Sequence, residues 1–237
     1  MKVVNIYGPT QSGKTVISKV IVDKLIEDLG IKVLVLSNSL TDGEKYVYSL
    51  SKSNNSNVDI LRPFMLSGLI SKEQLNDVKI TMSNKLDIIR GSEISEIDVA
   101  QVEIILGLLD GYEVIIIESR KPFVSKKYDV LNVSILAPIE EQIKEAFKTF
   151  DENTVYVLNK YDHEVLGFKP KKFDTIDIPT EPIFNLVANG YKYKLPEDCD
   201  EAIESIIDNI DGLDEIEVQV EKADKKSFLS KMRVIGR

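Results

Sequence analysis

Residues Gly8-Pro9-Thr10-Gln11-Ser12-Gly13-Lys14-Thr15 satisfy the spacing G-x-x-x-x-G-K-[ST], and the stretch before them, Met1 to Tyr7, reads as a short buried strand. Small residues at this spacing let the backbone wrap a phosphate, while the loop N–H groups and the positive end of the following helix converge on it. In such a loop Lys14 reaches the β and γ phosphates and the Thr15 hydroxyl takes a place on Mg2+. The required context is present. Val16, Ile17, Val20, Ile21, Leu25 and Leu29 recur at helical spacing behind the loop, and Gly30 is a natural stop. The expected ligand is therefore a nucleotide held along Gly8 to Thr15, with Mg2+ beside it.

Ile31 to Leu36 is a second apolar run, so strand, loop, helix and strand make a βαβ unit with parallel strands and a right-handed crossover. Further strands are expected at Val58 to Leu61, Leu86 to Arg90, Glu113 to Ile117, Val130 to Leu136, Thr154 to Leu158 and Thr175 to Ile178. Helices are expected at Glu44 to Leu50 and at Ser71 to Val78. Another follows the Asp98/Gln101 capping pattern, with Val99, Val102, Ile105, Leu106 and Leu109 on one face. Pro138 opens a helix that presents Ile139, Ile143, Ala146, Phe147 and Phe150, and a last one presents Ala202, Ile203, Ile206, Ile207 and Ile210. This alternation predicts an α/β fold: a doubly wound, mostly parallel sheet with helices on both faces. It occupies residues 1–212 as one P-loop NTPase domain, and an acidic-then-basic tail, residues 213–237, follows.

Length and charge narrow the classes of function. A chain of 237 residues buries a substantial core, and 43% hydrophobic with 29% charged residues is the composition of an ordinary globular protein. A formal net charge of −9 weighs against a general electrostatic grip on bulk DNA. Cys199 and His163 are the only residues of their kinds, which excludes disulfides, zinc clusters and histidine-based triads. The longest aliphatic runs, such as Val114 to Ile117, are too short to span a bilayer, and no cleavable leader is expected before the first strand. The expected location is the cytoplasm, with peripheral attachment at the inner face of the membrane if the tail docks there.

In an open α/β sheet the ligand lies outside the carboxyl ends of the strands. The Glu113-to-Ile117 strand delivers Glu118 there, a candidate for contacting Mg2+ or positioning an attacking water; the alternative is a solvated carboxylate at a strand end. Asp42 is a second candidate for the water side. Asn159-Lys160-Tyr161-Asp162 matches N-K-x-D, in which the aspartate accepts hydrogen bonds from guanine, so Asn159 and Asp162 are candidates for base contact and GTP stands beside ATP. A plain strand-end turn is the other reading. Residues 225–237 place Phe228, Leu229, Met232 and Ile235 on one helical face among cations, the composition of a helix that docks on an anionic membrane or a protein partner. A frayed tail, or a helix packed on the body, is the alternative.

Taken together these residues resemble the MinD/ParA (SIMIBI) class of P-loop ATPases, most closely its TadZ/CpaE-like members that place pilus and secretion machinery. The resemblance rests on the phosphate loop, the Leu86-to-Gly91 segment, the Gly111-to-Glu118 run, the Val155-to-Asp162 strand and loop, and the basic amphipathic terminus. It implies ATP-driven homodimerisation on a membrane, nucleoid or protein apparatus, with adenine as the usual base. The sequence departs from that class in three places. Pro9 stands where the class has a signature lysine, Ser37-Asn38-Ser39 stand where its second strand ends in aspartates, and Glu118 replaces an aspartate. The first functional expectation is a Mg2+-dependent ATPase acting as a positional or assembly switch, with Lys14, Glu118 and Asp42 at the chemistry and Thr15 and Glu118 at the metal. A GTP-binding regulator and a nucleotide-binding scaffold without turnover are the others.

Overall fold

The computed structural model describes residues 1–37, 47–48, 61–91, 99–148, 151–161, 175–179 and 181–210. Its strands are β1 (Lys2–Tyr7), β2 (Val33–Ser37), β3 (Lys79–Thr81), β4 (Leu86–Arg90), β5 (Val114–Ser119), β6 (Val130–Leu136), β7 (Thr154–Tyr161) and β8 (Thr175–Pro179). They form one sheet in the order β3-β4-β2-β5-β1-β6-β7-β8. Every neighbouring pair is parallel except β3 with β4. The reason lies in the sequence of the central strands. β2 and β5 are buried at every residue, and uninterrupted apolar runs are stable as strands only where both faces are covered.

The helices are α1 (Lys14–Glu27), α2 (Arg62–Ser67), α3 (Lys72–Val78), α4 (Val99–Leu108), α5 (Glu140–Lys148), α6 (Ile183–Ala188) and α7 (Glu197–Ile207). Side-chain alternation divides the core between the two faces of the sheet. Val4 and Ile6 of β1, Val33 and Val35 of β2, and Val114 and Ile116 of β5 pack with α1, α6 and α7. Val3, Leu34, Leu36, Ile115 and Ile117 pack on the opposite face with α2, α3 and α4. On α1 the buried set includes Ser18 and Val22 as well as Ile17, Val20, Ile21 and Leu25, so the helix is enclosed rather than half-exposed. α7 lies over it, and Lys24 Nζ donates to Asp200 Oδ1 at 2.5 Å and to Glu204 Oε1 at 2.8 Å.

Three elements appear that periodicity does not announce: α2, α6 and β3. The first two are single short helices, and β3 is a three-residue antiparallel edge strand closed by Met82 and Ser83 N–H bonds to the Leu86 carbonyl. β3 is too short for a period-2 signal. The strand expected at Val58 to Leu61 is not formed at its described end, because Leu61 has helical dihedrals and precedes α2; residues 58–60 lie outside the described residues. So do Asp98, Phe150, most of the helix expected at Glu44 to Leu50, and the tail. The helix expected from Pro138 begins at Glu140. Among the described residues no helix is long and apolar enough to cross a membrane.

Candidate functional site: a phosphate loop facing a buried carboxylate

β1 lies between β5 and β6, and the chain leaves its carboxyl end as the loop Gly8 to Gly13. Strand order reverses about β1, the position at which open α/β sheets leave a crevice. Two glycines make the loop geometry. A Cβ on Gly8 would meet the Ile135 carbonyl of β6 at 2.3 Å, and Gly13, at φ 87°, would drive a Cβ to 2.2 Å from Asn159 Nδ2. Gln11 also has a positive φ, 67°, while Thr10 and Gln11 form the exposed tip. Alternating handedness of this kind turns successive N–H groups toward one concavity. The Gly13 carbonyl accepts from Val16 and Ile17, which starts α1 at Lys14. The first turn carries no acidic residue and no side-chain cap, so its positive end is open to an anion.

Ser12 tests whether a phosphate fits. It is 1% exposed, and its hydroxyl has no hydrogen-bond partner among the described residues. A buried orphan donor inside a glycine-walled loop matches the oxygens of a phosphate. Pro9 is half-buried, and its carbonyl accepts from Lys14 Nζ at 3.4 Å, which folds the ammonium back over the loop. Burial holds that ammonium below the ordinary lysine range; the Glu118 carboxylate draws it back up and the Arg120 guanidinium adds to the lowering.

Glu118 is 0% exposed, so the solvated-carboxylate reading does not apply. β5 alternation places it on the α1 face, where hydroxyls surround it. Thr15 Oγ1 donates to Glu118 Oε2 at 3.1 Å, Ser37 Oγ to the same oxygen at 3.4 Å, and Tyr48 Oη to Oε1 at 3.2 Å. Ser18 Oγ and Tyr48 Oη stand 3.2 Å apart and complete the ring. Burial pushes the Glu118 carboxyl above the usual carboxylate range, against the bonds from Ser18, Thr15 and Tyr48 and the charge of Lys14. Among the described residues no group of three or more His, Cys, Asp or Glu gathers to hold a metal. One hydroxyl and one carboxylate suit Mg2+, which takes few protein ligands and completes its shell with water and phosphate oxygens.

Asn159 serves the loop directly. Its Nδ2 donates to the Ser12 carbonyl at 2.8 Å, and its side chain is 3% exposed. β7 runs on to Tyr161, with Lys160 at φ 59°, so Asn159 and Lys160 belong to the strand rather than to the loop beyond it. Asp42 and Asp162 lie outside the described residues. Tyr48 and Ser18 carried no functional reading in the sequence. Ser18 had a signal, since it stands one helical turn after Thr15 on an otherwise apolar face. Tyr48 had none, because only the tertiary fold brings it to β5.

The MinD septum site-determining protein of Pyrococcus horikoshii, solved with Mg-ADP, superposes with a TM-score of 0.61 at 19% identity, over 91% of this chain and 98% of that one. A plasmid partition protein of Borrelia burgdorferi bound to AMPPNP gives 0.59 at 16% identity, over 88% and 97%. A ParA family ATPase of Chlorobium tepidum gives 0.58 at 18%, over 86% and 98%. The chain has the MinD/ParA fold. No protein-family model and no curated protein sequence matches it. Within that MinD/ParA fold the phosphate loop leaves β1 between β5 and β6, and Glu118, the last residue but one of β5, stands beside it.

Proposed function

We propose that this chain is a Mg2+-dependent, nucleotide-binding P-loop ATPase of the MinD/ParA class that acts as a positional or assembly switch. The observation that carries the reading is the 3.1 Å bond between Thr15 Oγ1 and Glu118 Oε2, made beside a loop whose buried Ser12 hydroxyl lacks a partner among the described residues. The AMPPNP of the Borrelia protein and the Mg-ADP of the Pyrococcus protein support an adenine nucleotide here. The loop amides and Lys14 hold the phosphates, and Thr15 and Glu118 hold Mg2+. Bound there, the metal would supply neutralisation of phosphate charge. Asp42 belongs to the water side in this reading. The apparatus served is a pilus, secretion or partition assembly, and residues 225–237 dock on that apparatus or on a membrane surface.

A scaffold that binds nucleotide without turnover is the second reading. It is favoured by Ser37, which ends β2 where the class has aspartates and directs its hydroxyl to Glu118. Phosphate release measured on wild type and Lys14→Ala separates the two: release that depends on Lys14 supports the ATPase, and its absence supports the scaffold. Sedimentation with and without nucleotide reports the expected homodimer. Titration of GTP beside ATP decides the base, and tighter GTP binding would return Asn159 and Asp162 to guanine recognition. Liposome flotation of the full chain against a deletion after Ala223 tests tail docking, and equal flotation counts against it.

A further inference from the structure

Pro9 leaves the phosphate loop with a single ammonium, Lys14. A second cation stands close by on another element. Arg120 directly follows β5, whose Ser119 is paired with Tyr7 of β1, so it leaves the sheet at the level of Gly8, where the phosphate loop begins; it is exposed, and its charge bears on the Lys14 ammonium.

The chain on either side of Arg120 is held from beneath by a buried polar network. Ser119 Oγ lies 2.7 Å from Asn5 Oδ1 and 2.6 Å from the Lys121 carbonyl, which also accepts from Asn5 Nδ2 at 3.2 Å. Asn5 Nδ2 donates to Asn132 Oδ1 at 2.9 Å. Asn132 in turn pairs with the Phe123 backbone in both directions, accepting from its N–H at 2.9 Å and donating to its carbonyl at 3.0 Å. Asn5 and Asn132 are 0% and 6% exposed, at sheet positions where an aliphatic residue packs without any polar demand. Satisfied polar groups at such positions rigidify what they bind. Here they bind the backbone at Lys121 and Phe123 and so fix the segment that presents Arg120 at the rim of the phosphate loop. On the same side of the loop stand Thr15 and Glu118, the latter two residues before Arg120, which form the proposed metal position beside the terminal phosphate.

We propose that Arg120 binds the terminal phosphate of a nucleoside triphosphate held at Gly8 to Thr15, supplying from the β5 loop the cation that Pro9 does not, with Asn5 and Asn132 as positioning residues. The inference rests on the nucleotide reading above. Its test is calorimetric titration of the full chain with Mg-AMPPNP and with Mg-ADP.

Arg120→Ala weakens AMPPNP by about tenfold or more, the size expected for a charge-assisted phosphate contact, and leaves ADP within about twofold. Lys121→Ala removes a like charge one residue on and leaves the ratio of the two affinities at its wild-type value. Asn132→Ala lowers that ratio in the same sense as Arg120→Ala, a readout that a loss of packing alone does not move. Equal weakening of both nucleotides by Arg120→Ala, or no weakening, overturns the proposal. If Lys14→Ala abolishes binding while Arg120→Ala is silent, only this inference fails. If wild type binds neither nucleotide, the inference falls together with the nucleotide reading.

Discussion

Asn159 of β7 and Ser12 of the phosphate loop, 147 residues apart in the chain, are joined by an amide-to-carbonyl hydrogen bond of 2.8 Å. The bond makes the end of a late strand a brace for the first loop, and Gly13 passes between them with no room for a side chain. Asn159→Ala leaves the Ser12 carbonyl without this donor and costs about 1–3 kcal/mol of stability. Gly13→Ala forces a Cβ against the same amide from a left-handed backbone. It weakens nucleotide binding, and Asn159→Ala in the same chain relieves only the steric part. Urea unfolding and nucleotide titration of the two single variants and the double variant check this. Additive effects would contradict the coupling.

Tyr48 reports on the hydroxyl ring around Glu118. Tyr48→Phe keeps the ring shape and removes the bonds to Glu118 Oε1 and Ser18 Oγ. The expected loss is about 1–2 kcal/mol in urea unfolding, with an increase in the Mg2+ concentration needed for half-maximal nucleotide binding. An unchanged Mg2+ requirement would show that Tyr48 has no part in orienting the carboxylate.

Glu118 itself sets a pH dependence whose sign follows from burial. A carboxyl whose folded-state pKa is raised binds more protons folded than unfolded between the two values, so stability falls as pH rises through that window. The window opens at the ordinary value of 4.5 and extends upward. Glu118→Gln removes this contribution, so the stability of the variant relative to wild type, without nucleotide, grows as pH rises from 4.5 toward neutrality. Parallel pH profiles for the two proteins would contradict the burial account.

The legible parts of this structure were those with local signals. The phosphate loop announces itself by spacing and β2 and β5 by aliphatic runs, while the helix expected at Ser71 to Val78 forms as α3 with a serine-glutamine cap that the sequence reading did not use. In α3 the capping box forms, with Gln74 N donating to Ser71 Oγ at 3.3 Å and Ser71 N to Gln74 Oε1 at 2.8 Å. What was not legible depends on residues that meet only after folding. Asn159 matches a base-recognition motif, yet its duty to Ser12 follows from β7 lying two strands from β1 with the loop between them. Glu118 had two readings in the sequence, solvated or engaged, and only the enclosing hydroxyls of Thr15, Ser37 and Tyr48 decide between them. Asn5 and Asn132 interrupt aliphatic strands at separate points, and their pairing needs β1 and β6 side by side.

The central claim is that Gly8 to Thr15 holds the phosphates of an adenine nucleotide through Lys14, with Mg2+ on the Thr15 and Glu118 side. Equilibrium titration of Mg-ATP into wild type and into Lys14→Ala tests it most directly. The account predicts saturable one-site binding to wild type and a loss of at least about tenfold in affinity for the variant, since a charge-assisted phosphate contact from a half-buried ammonium is removed. Equal affinity for the two proteins, or no binding to the wild-type chain, would contradict it.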